Sequence, residues 1–552
     1  METGDGQGID KRKWNIAFVH PDLGIGGAER LIVDAALGLQ SAGHKVHIYT
    51  SHHSPSHCFP ETLQGTGPLH VTVRGDFFPR SVFGRFHLIW ALVRHLYLCF
   101  SLVIASLFHK HSPNNPKPDV YIVDQISAGI PLLHLTGARV LFYCHFPDKL
   151  LATRSRASAL GRLYRLPLDW VEEFSTSRAD ELVVNSRFTR AVVKAAFPSI
   201  RGVPAVVYPG VVQPPEPEAV PALIVAQGVE HVYVSINRFE RKKNLPLAIA
   251  AFAQASNAPP TLPAAPKSIL VLAGGFDPRV RENAKVLDLL QAQCSKLGLA
   301  FTTIHLTNPA TPWTDHPLDL SATPNTSVYF IPSIPEPYKH ALLLSPLTRA
   351  LVYTPSYEHF GIVPVEAMYA GVPVIAVGNG GPAESVAHLQ TGYLCGDAYP
   401  ASPNAVASSR SASPAGSRSA SPQMARKASP LRGAYGGWTD ADVDLNAFMT
   451  TIALHSKDSG AGAGVGGEQQ DVLVDQFARG MQWAGGLAAR DRKRVAENAK
   501  EQARSKFSSE AFTRGMEEAL LACLADYRGR VDAARGRNPS PVKVEGKSKK
   551  VE

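Results

Sequence analysis

The chain has 552 residues, 45% of them hydrophobic, and a formal charge of +9. That length excludes a single ordinary domain and that apolar content excludes wholesale disorder, so two domains with insertions are expected. The charge calls for an anionic partner without choosing among nucleic acid, anionic lipid and phosphorylated substrate; no recognisable nucleic-acid-binding module supports the first.

Six cysteines, Cys58, Cys99, Cys144, Cys294, Cys395 and Cys523, are scattered without metal-ligand spacing, which points to reduced thiols in a cytosolic setting. The first eight residues are polar, so a cleavable signal peptide is not expected. Residues 14–20 read as a first strand. The glycine-containing loop Gly24-Ile25-Gly26-Gly27-Ala28-Glu29-Arg30 follows, then an apolar-periodic helix at 31–39 and a strand at 45–50. This is a βαβ opening whose turn suits backbone approach to a phosphate at a helix N-terminus, and equally a purely structural turn. Because the glycines fall at 24, 26 and 27, it is not the G-x-G-x-x-G of a nicotinamide-dependent dehydrogenase.

Residues 86–108 are apolar enough to reach across a bilayer. Arg94 and His95 lie near the middle, however, and a central arginine costs about 2.5–3.5 kcal/mol on insertion scales. Trp90 and Tyr97 suit an interface, so a helix lying in or on a membrane face is expected rather than a clean span; the competing reading is a buried core helix. Strands follow at 119–124 and 140–144, the latter running into His145-Phe146-Pro147-Asp148, which places His145 at the carboxyl end of a strand. Strands at 181–186 and 205–210 complete a first domain, 14–212. Proline-rich 213–230 reads as a linker.

The second domain, 231–396, opens with a strand running into Asn237-Arg238-Phe239-Glu240-Arg241-Lys242-Lys243-Asn244. Four cations within six positions precede a helix that Asn244 is placed to cap, with Pro246 in its first turn. Cations at a helix N-terminus oppose its dipole; a bound diphosphate between them removes the conflict. Further strands are expected at 268–273, 301–306, 327–331, 350–353 and 372–377. Between the last two, Glu358 stands on a loop and Glu366 lies inside a helix. Gly361 allows the turn between them, and Pro364 fits the helix's first turn. Ligands of open α/β sheets bind beyond the carboxyl ends of the strands, so both carboxylates can face one crevice. The turn Gly378-Asn379-Gly380-Gly381-Pro382-Ala383-Glu384 offers backbone N–H groups that suit an anion. Residues 397–434 are a Ser/Pro-rich, low-complexity insertion expected to be disordered. Residues 435–534 are expected to be a helical region completing the fold, its last helix packing back on the first domain, and 535–552 a basic tail.

Glu358-His359-Phe360-Gly361-Ile362-Val363-Pro364-Val365-Glu366-Ala367-Met368 resembles the E-x7-E motif of the retaining family 4 glycosyltransferases. These have the GT-B fold: α/β, two Rossmann-like domains facing a central cleft. Together with His20-Pro21-Asp22-Leu23-Gly24, the Gly-Gly-Ala-Glu-Arg loop and Phe142-Tyr143-Cys144-His145-Phe146-Pro147-Asp148, it resembles the eukaryotic α-1,3/α-1,6-mannosyltransferases of dolichol-linked oligosaccharide assembly. The resemblance spans roughly 14–394. It implies a GDP-mannose donor and a dolichol-diphosphate-linked acceptor of one mannose and two N-acetylglucosamines, which receives one α-1,3- and one α-1,6-linked mannose. The implied catalytic residues are Glu358, His145, Lys243 and Arg238. Arg238 and Lys243 would hold the diphosphate and Glu366 the ribose hydroxyls. Glu358 would hold the mannose or the departing diphosphate, and Phe360, Gly361, Gly26 and Gly27 would complete the donor site. No cofactor or metal is expected, since Asp440-Ala441-Asp442 and Asp442-Val443-Asp444 come after the insertion. The implied setting is the cytosolic face of the endoplasmic reticulum membrane, with other mannosyltransferases of the pathway as partners and no nucleic acid. The insertion and the lack of an apolar C-terminal anchor depart from the family pattern, leaving attachment to 86–108, basic surface or a partner. A family 4 enzyme with another acceptor, or an inactive membrane-bound scaffold of this fold, are the alternative readings.

Overall fold

A computed structural model describes residues 13–81, 87–108, 116–151, 159–256, 267–306, 316–396 and 467–534. The expected insertion, 397–434, both Asp-x-Asp sequences and the basic tail lie outside the described residues.

The first domain is a parallel sheet of β1 (Asn15–His20), β2 (Lys45–Thr50), β3 (Val71–Val73), β4 (Val120–Asp124), β5 (Arg139–Cys144), β6 (Glu181–Val184) and β7 (Ala205–Val206), in the spatial order 3-2-1-4-5-6-7. Its strands are runs such as Val-Tyr-Ile-Val-Asp, buried at every position, because helices cover both faces. The helix Gly27–Ser41 packs on one face and His87–Phe108 on the other.

The second domain repeats the plan. β8 (Leu223–Ile224) and β12 (Leu318–Asp319) form a separate pair, while β9 (Val229–Ile236), β10 (Lys267–Gly274), β11 (Phe301–Thr303), β13 (Val328–Pro332), β14 (Thr348–Tyr353), β15 (Val374–Val377) and β16 (Gly392–Cys395) form a parallel sheet, ordered 11-13-10-9-14-15-16. The expected free linker is therefore tied down in part: Leu223 and Ile224 pair with Leu318 and Asp319. β3, β8, β12 and β16 had no counterpart among the expected strands, the first three being only two or three residues long.

Each sheet has one place where strand order reverses, β1 beside β4 in the first and β9 beside β14 in the second. Doubly wound sheets bind ligands at such points. The segments following β9 and β14 carry Arg238, Lys243 and Glu358; β1 and β4 end on His20 and Asp124.

Three more helices follow among the described residues. Gly467–Gly486 packs against the second sheet. Ala489–Phe507 packs against the helix Ile362–Tyr369, which carries Glu366. Ser509–Ala534 returns to the first domain, as expected, burying Phe512, Met516, Leu520 and Leu524 beside Leu31, Ala35 and Leu39. Each large side chain so buried contributes about 1.5–3 kcal/mol.

Candidate active site

On the second sheet, Arg241–Lys243 forms a short 3-10 turn after β9, and Asn244 takes a left-handed conformation (φ +47°) before the helix Leu245–Ser256. The buried Thr354 hydroxyl, just past β14, donates to the Lys243 carbonyl at 2.6 Å. That bond ties the two crevice walls together. The Lys243 ammonium lies 2.5 Å from Glu358 Oε2. Burial pushes the Glu358 carboxyl up, but the Lys243 charge and hydrogen bond outweigh it, and it stays below the ordinary carboxylate range. Gly361 (φ +89°) makes the turn into Ile362–Tyr369, a conformation that costs other residues strain. Glu366 accepts from Lys339 through Oε1 at 2.9 Å, while its Oε2 is buried and has no hydrogen-bond partner. A buried acceptor left open is costly unless a ligand fills it. Arg238 is 59% exposed and braced by Glu240 at 3.0 Å.

On the first sheet, Asp124 is fully buried between two histidines. Its Oδ1 is 2.7 Å from His20 Nδ1 and its Oδ2 is 3.1 Å from His145 Nε2. His20 Nε2 faces the Asp22 carbonyl at 2.9 Å. Both His20 nitrogens thus meet acceptors, so both carry protons and the ring is a cation. Burial pulls its pKa down, but Asp124 and Glu29 overcome this and raise it to about 10. The Asp124 carboxylate then accepts a hydrogen bond from His145 Nε2–H, which fixes the tautomer and orientation of the ring that follows β5.

The two walls meet. Phe146 stacks on His359 at 3.8 Å, and Ser186 Oγ donates to the His359 carbonyl at 2.6 Å. The structure thus brings Lys243 and Glu358 into contact and sets Glu366 on the adjoining helix. Two site expectations change. The Phe360 ring is buried against Tyr208 and Phe507, so it belongs to the core and only its backbone is available to a donor. The space beside Gly26 holds the Glu29 carboxylate, which lies 2.2 Å from where a Cβ would stand, so the start of this helix already carries an anion; Gly27 meets nothing within 4 Å. Three groups escaped the sequence reading: Lys339, Asp124 and Glu384. Lys339 is a single buried cation on an apolar helix, and Asp124 closes an otherwise apolar strand; both patterns are detectable but common.

The domain plan and a crevice of paired carboxylates and lysines define a glycosyltransferase of the GT-B class. The Glycosyltransferase Family 4 model matches residues 25–212 and the Glycosyl transferases group 1 model matches 318–407. The fold is shared with sucrose-phosphate synthase from Thermosynechococcus elongatus, at TM-score 0.51 and 17% identity, covering 94% of this chain and 100% of that one. The chain is 46% identical to the alpha-1,3/1,6-mannosyltransferase ALG2 of Rhizomucor pusillus, over 70% of this chain and 81% of that protein. It is 45% identical to the Saccharomyces cerevisiae ALG2, over 68% and 72%. It belongs to the ALG2 alpha-1,3/1,6-mannosyltransferase family.

Proposed function

We propose that this mannosyltransferase takes mannose from GDP-mannose and adds one α-1,3- and one α-1,6-linked residue to the dolichol-diphosphate trisaccharide Man1GlcNAc2, with retention at the anomeric carbon. The observation that carries the reading is the Lys243–Glu358 contact together with the unpaired Glu366 Oε2 on the helix that follows the Glu358 loop. On this reading Glu366 takes a ribose hydroxyl and Lys243 the diphosphate. Lys243 and Arg238 stabilise the charge that grows on the departing GDP, a preorganised effect typically worth about 10²–10³ in rate per donor. The acceptor hydroxyl attacks the face that GDP leaves, and the GDP oxygen takes its proton. His145, oriented by Asp124, positions a mannose hydroxyl or the attacking acceptor. The positive charge comes from side chains, so we propose that no metal is needed; EDTA should leave activity intact, and loss restored by manganese would contradict this.

The acceptor is a lipid, and the first domain offers it a surface. His87–Phe108 is the one helix among the described residues long and apolar enough to cross a membrane, and only a third of its most apolar window is buried. Arg94 and His95 turn into the protein, Arg94 donating to the Ser51 carbonyl at 3.2 Å. This removes the cost of an arginine facing lipid and leaves Phe100, Leu107 and Phe108 outside. Across the Ser127–Gly129 turn, the helix Ala159–Thr176 exposes Leu163, Leu166, Trp170 and Phe174. The spacing is that of one helix face. We read the two as a face resting on the cytosolic side of the endoplasmic reticulum membrane.

The test gives purified enzyme the synthetic lipid-linked trisaccharide with GDP-mannose and reads the linkages with selective mannosidases. Both α linkages are expected; a single added mannose or a β linkage contradicts the reading. Two aspartates on the outer face of His87–Phe108 should release the protein from vesicles.

A further inference from the structure

The glycine-rich turn after β15 fits an anion by sequence, yet the structure puts it to a different use. Side chains at Gly380 and Gly381 would strike the backbones of Glu358 and Phe360, at 2.5 and 2.0 Å. The turn is therefore packed against the Glu358 loop, and the Gly381 N–H donates to the Glu358 carbonyl at 2.7 Å. What the turn presents outward is the Glu384 carboxylate, and it reaches the other domain. Glu384 Oε1 accepts from the Phe188 N–H at 2.7 Å, and Oε2 from the Arg187 N–H and the Tyr208 hydroxyl, both at 2.9 Å.

Arg187 and Phe188 begin the ten-residue helix Arg187–Ala196 of the first domain. The opening N–H groups of a helix have no partner within it and carry partial positive charge. Ser186, its own cap, satisfies only Thr189; Glu384 satisfies the two before. Tyr208 lies past the last strand of the first domain, where the chain leaves it. A carboxylate from one domain thus completes a helix start of the other and also holds the exit of the connecting segment.

We infer that Glu384 is a positioning residue for mannosyl transfer. Through the Gly381–Glu358 bond on one side and the Arg187–Phe188 helix start on the other, it fixes how far the Glu358 loop stands from His145. Ser186 and Phe146, both on His359, hold the same gap without charge. Glu384 Oε1 and Oε2 bond to Arg187, Phe188 and Tyr208 rather than to Lys243, Arg238 or Glu366, which all belong to the second domain. Loosening the clasp should misplace the donor relative to the acceptor without weakening the grip on the nucleotide. Misplacement of about 1 Å can cost roughly 10²-fold in rate.

The inference rests on the transfer reading above, so the experiment includes two readouts that do not depend on it. Glu384→Gln keeps the shape but turns an NH2 group toward a backbone N–H. We expect kcat for both linkages to fall about 10–100-fold, GDP affinity by calorimetry to stay within about twofold, and solution scattering to show a larger radius of gyration. Tyr208→Phe, which leaves the carboxylate and both backbone bonds, should fall between wild type and Glu384→Gln. It carries the test alone should the glutamine variant not fold, and wild-type kcat and radius in it would then overturn the inference. An unchanged kcat in Glu384→Gln, an unchanged radius, or a parallel loss of GDP affinity that marks Glu384 as a donor ligand would each overturn it. If the transfer reading itself is wrong, neither enzyme transfers mannose, yet scattering still separates them.

Discussion

The two sheets share a strand plan and a switch-point crevice, but their charges are arranged in opposite ways. In the first, His20, Asp124 and His145 satisfy one another. His20 and Asp124 are sealed from solvent, and both nitrogens of His20 are used. In the second, Arg238 reaches into solvent and Glu366 keeps one buried oxygen unpaired. The first crevice is a finished scaffold that aims one histidine. The second keeps an exposed cation and an unpaired acceptor.

The sharpest way to break the contrast is to remove a charge from the open crevice. Lys243→Ala deletes the cation we assign to the leaving group and strands Glu358 in a buried site, so kcat should fall by about 10²–10³. Linkage analysis should show both additions lost together; loss of only one would mean two donor sites. Glu366→Ala comes next. Losing hydrogen bonds to a charged acceptor, worth about 1.5–3 kcal/mol, should raise the donor KM about 10–100-fold and leave kcat within a few-fold. An unchanged KM would mean Oε2 is not waiting for the donor.

The finished crevice should show itself in stability as a function of pH. His20 is raised from 6.5 to about 10, so its stabilisation is whole below pH 6.5 and is lost as pH climbs through about 10. Asp124 lies below its ordinary 3.8, so its share is present above about pH 4 and is lost only as pH falls through its lower folded value. Glu29 and the buried His95, which also feel this pair, enter the same balance. Asp124→Asn should therefore lower the melting temperature most between about pH 4 and 6.5 and flatten its decline between pH 6.5 and 10; parallel curves would contradict a buried His20 cation. The smallest effect belongs to Phe360→Leu. A near volume-conserving core change costs about 1 kcal/mol, and donor KM should stay within twofold; a larger kinetic change would return the Phe360 ring to the donor site.

Legibility in the sequence followed the same contrast. The second crevice was readable because its parts are close in the chain: Glu358, Gly361 and Glu366 within nine positions, Arg238 and Lys243 within six. The long buried strands were readable too, as unbroken apolar runs. The first crevice depends on Asp124 meeting His20 and His145 across three strands, and only the sheet order brings them together. The turn leading to Glu384 was visible but misread: its glycines signalled a close approach, and sequence does not say whether an anion or a neighbouring backbone makes it. For the 86–108 helix, length and composition were plain, while the inward turn of Arg94 and His95 needed the packing.

The return of Ser509–Ala534 onto the first domain has a consequence for synthesis. The apolar face of Gly27–Ser41 leaves the ribosome before the second domain, and Phe512, Met516, Leu520 and Leu524, which cover it, leave after that domain. At Gly38 the approach is so close that a Cβ would stand 2.1 Å from the Thr513 hydroxyl. Domains usually finish in the order they are made. Here the first domain stays incomplete until the second has been translated, and its uncovered face must be kept from aggregating for that whole interval.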